Sequence, residues 1–148
     1  MSTLVRYAKD TDIEAVAAIE NECFSVPWTI EGLKAYLPDD MHLLIVAENE
    51  NSDIMGYIGL MYVLDEGYIS NVAVSERYRR QGVADALIAF LVGASEDRKL
   101  SFLTLEVRES NAPARRLYEK NGFHIVGSRK NYYEKPTENA ILMTRFLK

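Results

Sequence analysis

Cysteine and histidine are scarce in this chain of 148 residues, which contains one cysteine, Cys23, and two histidines, His42 and His124. One thiol cannot form an internal disulfide, and the two histidines stand far apart in strand-like runs. The sequence therefore predicts neither a disulfide scaffold nor a metal site. Cys23 falls in an apolar helical pattern, which predicts a buried structural thiol rather than a nucleophile.

Long apolar runs are absent as well. No segment approaches the ~20 apolar residues that a membrane helix needs, and the first residues lack the apolar region of a signal peptide. The hydrophobic fraction of 48% is typical of a packed globular chain. We therefore expect one domain over residues 1–148, without a membrane span, located in the cytoplasm and monomeric.

Charge is divided unevenly along the chain. Residues 1–76 hold 14 acidic and 3 basic side chains, whereas residues 77–148 hold 8 acidic and 14 basic ones, within a net charge of −5. This division has two interpretations: two solvated faces without a role, or a basic half for an anionic ligand and an acidic half for a cationic substrate. The acidic total disfavours a nucleic-acid-binding protein.

Hydrophobic periodicity and turn residues predict alternating strands and helices. Thr11 to Glu14 form a capping-box pattern, Thr29 is a candidate cap for a short helix, and Ser110 or Asn111 for a later one. We predict an α/β (α+β) fold with a mixed, mostly antiparallel sheet of about seven strands and about four helices. The predicted strands cover residues 3–7, 42–48, 54–63, 68–74, 102–107, 123–128 and 140–146.

One loop carries the clearest functional pattern. Arg79-Arg80-Gln81-Gly82-Val83-Ala84 joins a predicted strand to an amphipathic helix; we call residues 79–84 the anion loop. The small residues leave the first N–H groups of the helix open to an anion, and the arginines add positive charge for a phosphate or pyrophosphate. An ordinary turn with surface arginines is the alternative. The dinucleotide and P-loop glycine patterns do not occur.

The anion loop resembles the acetyl-CoA loop of the GCN5-related N-acetyltransferases (GNAT), with Arg79, Gly82 and Ala84 filling the pattern Gln/Arg-x-x-Gly-x-Gly/Ala. A second block is similar as well: Leu105-Glu106-Val107-Arg108-Glu109-Ser110-Asn111-Ala112-Pro113-Ala114, followed by Leu117-Tyr118-Glu119-Lys120-Asn121-Gly122-Phe123. Residues 24–29, 106–108 and 129–133 resemble in particular the bacterial Rim-type acetyltransferases of ribosomal-protein N-terminal alanines. Ala84 departs from the glycine that many relatives carry, and the Ser25-Val26 spacing also varies among them.

The resemblance implies direct acetyl transfer from acetyl-CoA, in a ternary complex, to the N-terminal alanine of a small-subunit ribosomal protein with a basic N-terminus. It implies Glu106 as the base, acting through water, and Tyr118 as the acid. A solvent-facing strand glutamate and a packing tyrosine are the alternatives. Cys23 lies far along the chain from these motifs, so we expect no acyl-enzyme.

The remaining site residues are also implied by the resemblance. Trp28, Tyr132 and Tyr133 are expected to line the acceptor groove, although core packing and an edge strand would also explain them. Asn111 is expected to bind the pantetheine arm, or to act only as a helix cap. The expected acetyl-CoA-binding residues are Val72, Ala73, Val74, Arg79, Arg80, Gln81, Gly82, Val83, Ala84, Asp85 and Asn111, with the amides of Val72 and Val74 polarising the thioester carbonyl.

Two other functions remain open from the sequence. The chain could acetylate a different amine, such as a lysine side chain, a polyamine or a small molecule. It could instead be a non-catalytic acetyl-CoA-binding or ribosome-associated module. The presence of both Glu106 and Tyr118 favours an enzyme, because a binding module needs neither a base nor an acid.

Overall fold

A seven-stranded sheet flanked by four helices forms the part of the chain that the computed structural model describes, residues 3–147. The strand order is β1-β2-β3-β4-β5-β7-β6, and every pairing is antiparallel except that of β4 with β5. The predicted α/β architecture is therefore confirmed. None of the helices described is long and apolar enough to cross a membrane.

The element boundaries follow the predicted runs closely. The helices are α1 (Ile13–Cys23), α2 (Ile30–Lys34), α3 (Val83–Asp97) and α4 (Ala112–Lys120). The strands are β1 (Leu4–Tyr7), β2 (His42–Glu48), β3 (Ile54–Val63), β4 (Glu66–Val74), β5 (Phe102–Arg108), β6 (His124–Tyr133) and β7 (Glu138–Phe146). Four strands run longer than predicted: β4 begins at Glu66, β5 ends at Arg108, β6 continues to Tyr133, and β7 begins at Glu138.

The predicted capping box at Thr11 is wrong. A 3-10 turn, Asp10–Asp12, precedes α1, and the carboxylate of Asp12 accepts from the Lys9 amide at 2.8 Å. Arg6 donates to the same carboxylate from Nη1 at 2.8 Å and Nη2 at 3.0 Å, and this hydrogen-bonded guanidinium lowers the pKa of Asp12. Charge-assisted hydrogen bonds are stronger than those of a hydroxyl, so the arginine on β1 determines where the helix begins.

Both faces of the sheet are covered, and β2 shows this most directly. Its alternate residues Leu43 and Ile45 pack into the cluster formed with α3, whereas Leu44 and Val46 pack into the cluster formed with α1 and α2. All four are fully buried. A strand buried on both faces reads as a continuous apolar run, as this one does.

The sheet opens between β4 and β5. These parallel strands pair only from Glu66↔Phe102 to Tyr68↔Thr104, after which they separate. On the other side of β4 the register with β3 shifts, so that Ser70 has no opposite residue and forms a β-bulge. A bulge increases local twist and bends a strand. The bend lies where β4 leaves β5, and a wedge opens at this point.

Candidate active site

A cavity of about 750 Å³ fills the wedge and extends to the start of α3 and to α4. We call it the wedge cavity. It is lined by predicted ligand-binding residues: Val72, Ala73, Val74, Arg79, Arg80, Gly82, Val83, Ala84, Asp85 and Asn111. Gln81, which the sequence also predicted, is exposed and directs its side-chain amide toward the carbonyl of Arg77 at 3.5 Å.

The anion loop presents main-chain N–H groups to this cavity. Gly82 precedes α3 with φ +78°, in the left-handed region, and no side chain caps the helix. An added Cβ at Gly82 would meet nothing within 4 Å, so the backbone conformation, not crowding, favours glycine there. The first main-chain bond, from the Ala86 N–H to the Gly82 carbonyl (3.0 Å), leaves the preceding N–H groups pointing out of the helix. Such an end binds an anion.

The strand edge beside the wedge also presents amides. The Ser75 N–H donates to the Met55 carbonyl at 2.9 Å, so Ser75 and, by alternation, Ala73 direct their main-chain groups toward β3. Val72 and Val74 direct theirs the other way, where β5 has separated. The Val74 carbonyl is consistent with this direction, because it accepts from Arg79 Nε at 3.1 Å on the wedge side.

Cys23 lies at this site despite its distance along the chain. Its thiol donates to the Val74 carbonyl at 3.6 Å and accepts from Arg79 Nη2 at 3.4 Å. Sequence separation was therefore a misleading guide to its position, because α1 packs beside β4. Burial raises the pKa of the Cys23 thiol, although the Arg79 hydrogen bond acts in the opposite sense. The thiol is thus held protonated, and a thiol is a poorer nucleophile than a thiolate.

A second cavity of about 650 Å³ continues from the wedge cavity along the other side of β4 and β5. We call it the groove. Cys23, Phe24, Val72 and Asn111 line both cavities, so the two open into one another. The groove lining includes the predicted catalytic and acceptor-binding residues: Trp28, Glu106, Tyr118, Tyr132 and Tyr133.

Glu106, on β5, lines the groove. Its side chain is 7% exposed and its Oε2 pairs with Arg129 Nε at 2.9 Å. Its Oε1 accepts a hydrogen bond from the Tyr68 hydroxyl. A solvent-facing glutamate is therefore excluded. Burial and this carboxylate together raise the pKa of Tyr68, which holds the phenol in its donating form.

Sequence reasoning did not assign a role to Tyr68 or to Arg129. Tyr68 comes within reach of Glu106 because β4 and β5 still pair at Tyr68↔Thr104. Arg129 is on β6, where its partner Ala140 on β7 is in turn paired with Arg108 on β5. Arg129 therefore shares a sheet face with Glu106. Only knowledge of the strand order would have revealed either contact.

Tyr118, on α4, lines the groove. Its ring packs edge-on against Phe123, with centroids 5.7 Å apart, and the residue is 8% exposed. Burial raises the pKa of Tyr118, and the neighbouring Tyr133 adds to the effect. The phenol is therefore protonated at neutral pH and can donate a proton. Packing and proton donation are compatible here.

Polar groups fix the start of α4 and of α3 around the wedge cavity. Asn111, not Ser110, caps α4, because its Oδ1 accepts from the Ala114 N–H at 3.2 Å. Asp85 in the first turn of α3 accepts from Lys120 Nζ at 3.1 Å and from Asn121 Nδ2 at 3.0 Å. These contacts join α3 to the end of α4, and the acidic side chain on the cavity wall is paired with a cation.

Aromatic side chains form two walls of the groove. On one side Trp28 stacks on Tyr36, with centroids 4.9 Å apart. On the other, Tyr132 and Tyr133 meet edge-on at 5.1 Å, and the Arg108 guanidinium lies 4.5 Å from the centre of the Tyr133 ring. Burial raises the pKa of Tyr133 to about 12, with the nearby Glu106 carboxylate adding to the effect. Within residues 3–147, no group of three or more His, Cys, Asp or Glu side chains could hold a metal ion.

Comparison with known proteins agrees with this geometry. The sequence model of the Acetyltransferase (GNAT) family matches residues 13–123. The chain is 36% identical over 149 residues to the [ribosomal protein bS18]-alanine N-acetyltransferase of Haemophilus influenzae, covering 98% of this chain and 99% of that protein. It is 36% identical over 137 residues to the Escherichia coli protein of the same name, covering 90% of each.

The fold has solved counterparts. The crystal structure of the ribosomal-protein-S18-alanine N-acetyltransferase from Escherichia coli superimposes with a TM-score of 0.91 at 32% identity, covering 99% of this chain and 95% of that chain. Ard1 from Thermoplasma volcanium gives a TM-score of 0.89 at 29% identity, covering 100% and 99%. The motif resemblance is thus confirmed, and the chain belongs to the acetyltransferase (GNAT) family.

Proposed function

We propose that this chain is an N-terminal protein acetyltransferase, which moves an acetyl group from acetyl-CoA to the α-amine of the N-terminal alanine of a bS18-type ribosomal protein. One observation carries the proposal: an amide-lined cavity opens into an aromatic groove that contains Glu106 and Tyr118, and the two cavities share Val72 and Asn111. Relatives that share 36% of their residues with the chain are named for this acceptor.

The wedge cavity fits acetyl-CoA. The anion loop offers helix-end amides and the guanidinium of Arg80 to the pyrophosphate. Val72 and Val74 turn their N–H groups into the wedge, where they can donate to the thioester carbonyl and to the amide-bearing arm next to it. Main-chain N–H groups thus line the wall along which the phosphate-bearing acetyl-CoA would lie, and no metal is needed to hold it.

Glu106 and Tyr118 supply the proton transfers. An α-amino group titrates near about 7.7–8.0, so a fraction is neutral at pH 7 and a carboxylate acting through water is a sufficient base. As the amine nitrogen bonds to the carbonyl carbon, its proton passes to Glu106. As the carbon–sulfur bond breaks, Tyr118 donates its proton to the departing sulfur. Donor and acceptor are held together, so the transfer is direct.

The groove suits a short basic N-terminus. Three carboxyl side chains, Glu20, Glu106 and Glu134, line it together with Trp28, Tyr132 and Tyr133, against two cationic side chains, Arg108 and Lys135. Carboxylates attract a cationic peptide over a distance set by the Debye length, and aromatic rings add contact area at a small entropy cost. The proposal includes a single acetyltransferase domain over residues 1–148 and a cytoplasmic monomer, which size-exclusion chromatography tests.

A panel of acceptors tests the function. We expect acetylation of an alanine-initiated basic peptide, detected by mass spectrometry at the α-amine, to exceed that of the same peptide with a blocked N-terminus and a free lysine. Spermidine and a small aromatic amine complete the panel. Equal rates on the α-amine and the lysine would overturn the specificity and favour another amine. Tight acetyl-CoA binding without turnover on any amine would favour a non-catalytic module.

A further inference from the structure

Glu20 is the most deeply buried carboxylate beside the groove, and the catalytic steps do not use it. The residue is 1% exposed, in an otherwise apolar face of α1. Its partners are neutral donors: the Tyr57 hydroxyl, Asn71 Nδ2 at 3.1 Å and the Trp28 main-chain N–H at 2.9 Å. Among residues 3–147 no Lys, Arg or His forms an ion pair with it. Burying a carboxyl group among apolar side chains is costly unless hydrogen bonds satisfy it, and its presence on this face of α1 calls for a reason.

The contacts of Glu20 close into a ring. Glu20 holds the Trp28 amide and the Asn71 side chain. The Trp28 ring stacks on Tyr36, and the Tyr36 hydroxyl is 2.6 Å from Ser70 Oγ. Ser70 is covalently joined to Asn71, which completes the circuit. We call these five residues the Glu20 ring.

The ring joins two parts of the site that belong to different elements. Trp28 lies in the loop between α1 and α2, which forms one wall of the groove. Ser70 is the bulge residue of β4, and Asn71 immediately precedes Val72, whose N–H faces the wedge cavity. The acceptor wall and the amide that faces the thioester are therefore connected through one carboxylate.

We propose that Glu20 is a positioning residue, which fixes the acceptor wall at Trp28 relative to the bulge of β4 and so aligns acceptor and acetyl carbonyl. The catalytic half of this statement rests on the proposed function. Its structural half does not, because the ring exists in the free protein. Misplacing reacting groups by about 1 Å can cost orders of magnitude in rate, so a gain in alignment can offset the cost of burying a carboxyl group.

Fluorescence of Trp28 tests the structural half. Trp28 is the sole tryptophan of the chain, so its emission reports the groove wall without labels. Glu20→Gln keeps the size of the side chain but replaces one carboxylate oxygen with an NH₂ group, which cannot accept from the Trp28 N–H or from Asn71 Nδ2. We expect the acrylamide quenching constant of Trp28 to rise about twofold, because the loop is released locally.

Kinetics test the catalytic half. With an alanine-initiated basic peptide, Glu20→Gln is expected to raise the peptide KM about tenfold, because the acceptor wall is displaced. The Kd for acetyl-CoA, measured by calorimetry, stays within about twofold, since the anion loop is untouched. Glu48→Gln is the matched control: it removes a carboxylate that is 14% exposed and bonded to Arg6 at 3.0 Å, remote from the groove. It lowers Tm without changing quenching or KM.

Tyr36→Phe is the second variant, which breaks the ring at Ser70 and leaves Glu20 in place. It is expected to shift quenching and KM in the same direction by a smaller factor, and it decides the matter if Glu20→Gln does not fold. Wild-type quenching and KM in the folded variants would overturn the proposal, as would an equal loss of acetyl-CoA binding. If the wild-type protein showed no turnover, the proposed function would be wrong. The quenching constant of Trp28 alone would then decide whether Glu20 fixes the position of the groove wall.

Discussion

The wedge cavity and the groove are built on different principles. Half of the residues that line the wedge cavity come from two short stretches, residues 72–74 and 79–85, and main-chain amides are among its donors. The lining of the groove comes from five elements, α1, β4, β5, α4 and β6, and from the loops next to them. Main-chain recognition depends on backbone shape, which a few small residues can specify. Side-chain recognition depends on packing between elements that are remote in sequence.

This difference predicts that variants in the two cavities separate donor binding from transfer. Changes in the wedge cavity act on acetyl-CoA affinity through backbone strain. Changes in the groove lower turnover or acceptor affinity and leave the Kd for acetyl-CoA unchanged. The following variants test the separation.

Glu106→Gln is expected to have the largest effect. Removing the base lowers kcat about 10³-fold, because a positioned carboxylate contributes 10²–10⁴-fold to proton transfer. Calorimetry with acetyl-CoA should show an unchanged Kd. Glu109→Gln, an exposed carboxylate just beyond β5, is the control and should retain wild-type turnover. A large loss of acetyl-CoA affinity in Glu106→Gln would remove the distinction between the cavities.

Tyr118→Phe tests the proposed acid. Burial raises the pKa of Tyr118, so the hydroxyl is a proton donor throughout the neutral range. Its removal should lower kcat about 10²-fold at all pH values in that range, with KM for acetyl-CoA little changed. The ring keeps its edge-on contact with Phe123, so Tm serves as the control for packing. Wild-type kcat would assign Tyr118 a packing role only.

Gly82→Ala tests the backbone of the anion loop. An alanine at φ +78° costs about 1–2 kcal/mol, and nothing crowds its Cβ. The Kd for acetyl-CoA should therefore rise about tenfold, with kcat at saturation nearly unchanged. Gly93→Ala in the interior of α3 is the matched control. Its Cβ also meets nothing within 4 Å, and it should stabilise the helix by about 0.5–1 kcal/mol without affecting binding.

Asp12→Asn lies outside both cavities and should affect neither. Because Arg6 lowers the pKa of Asp12 below 3.8, the ion pair adds stability above that pH and loses it as pH falls through the lower, folded-state value. Chemical denaturation should show a difference of about 1 kcal/mol from wild type at pH 7 that shrinks below about pH 4. A pH-independent difference would mean that the charge of Asp12 contributes nothing.

The fold was largely predictable because its elements are local. Thr29 does cap α2, accepting from the Gly32 N–H at 3.0 Å, and Asn111 caps α4 beside a proline in its first turn. The start of α1 was not predictable in this way, because the Asp12 carboxylate that precedes it is hydrogen-bonded to Arg6 on β1. A contact between two elements overrode a local capping pattern.

The site was predictable where its sequence is contiguous. The anion loop, Glu106 and Tyr118 fall in short motifs, and the structure brings them to one pair of joined cavities. Glu20 interrupted the apolar pattern of α1, which showed that it was unusual but not what it contacts. Tyr68, Arg129 and Cys23 gave no such indication, because their positions depend on the order and register of strands.

The separation of β4 from β5 has a further consequence. Within the described residues, the two parts of the sheet, β1 to β4 and β5 to β6, are joined by three residue pairs at one end. Beyond these pairs, the main-chain N–H groups of Val72 and Val74 on β4 face the gap. An extended molecule that hydrogen-bonded to these amides would lie beside β4 as an eighth strand. Ligand occupancy then adds to cohesion across the middle of the sheet, and the free energy of unfolding increases with donor concentration. The concentration of acetyl-CoA thereby affects how stably the two parts of the sheet remain associated.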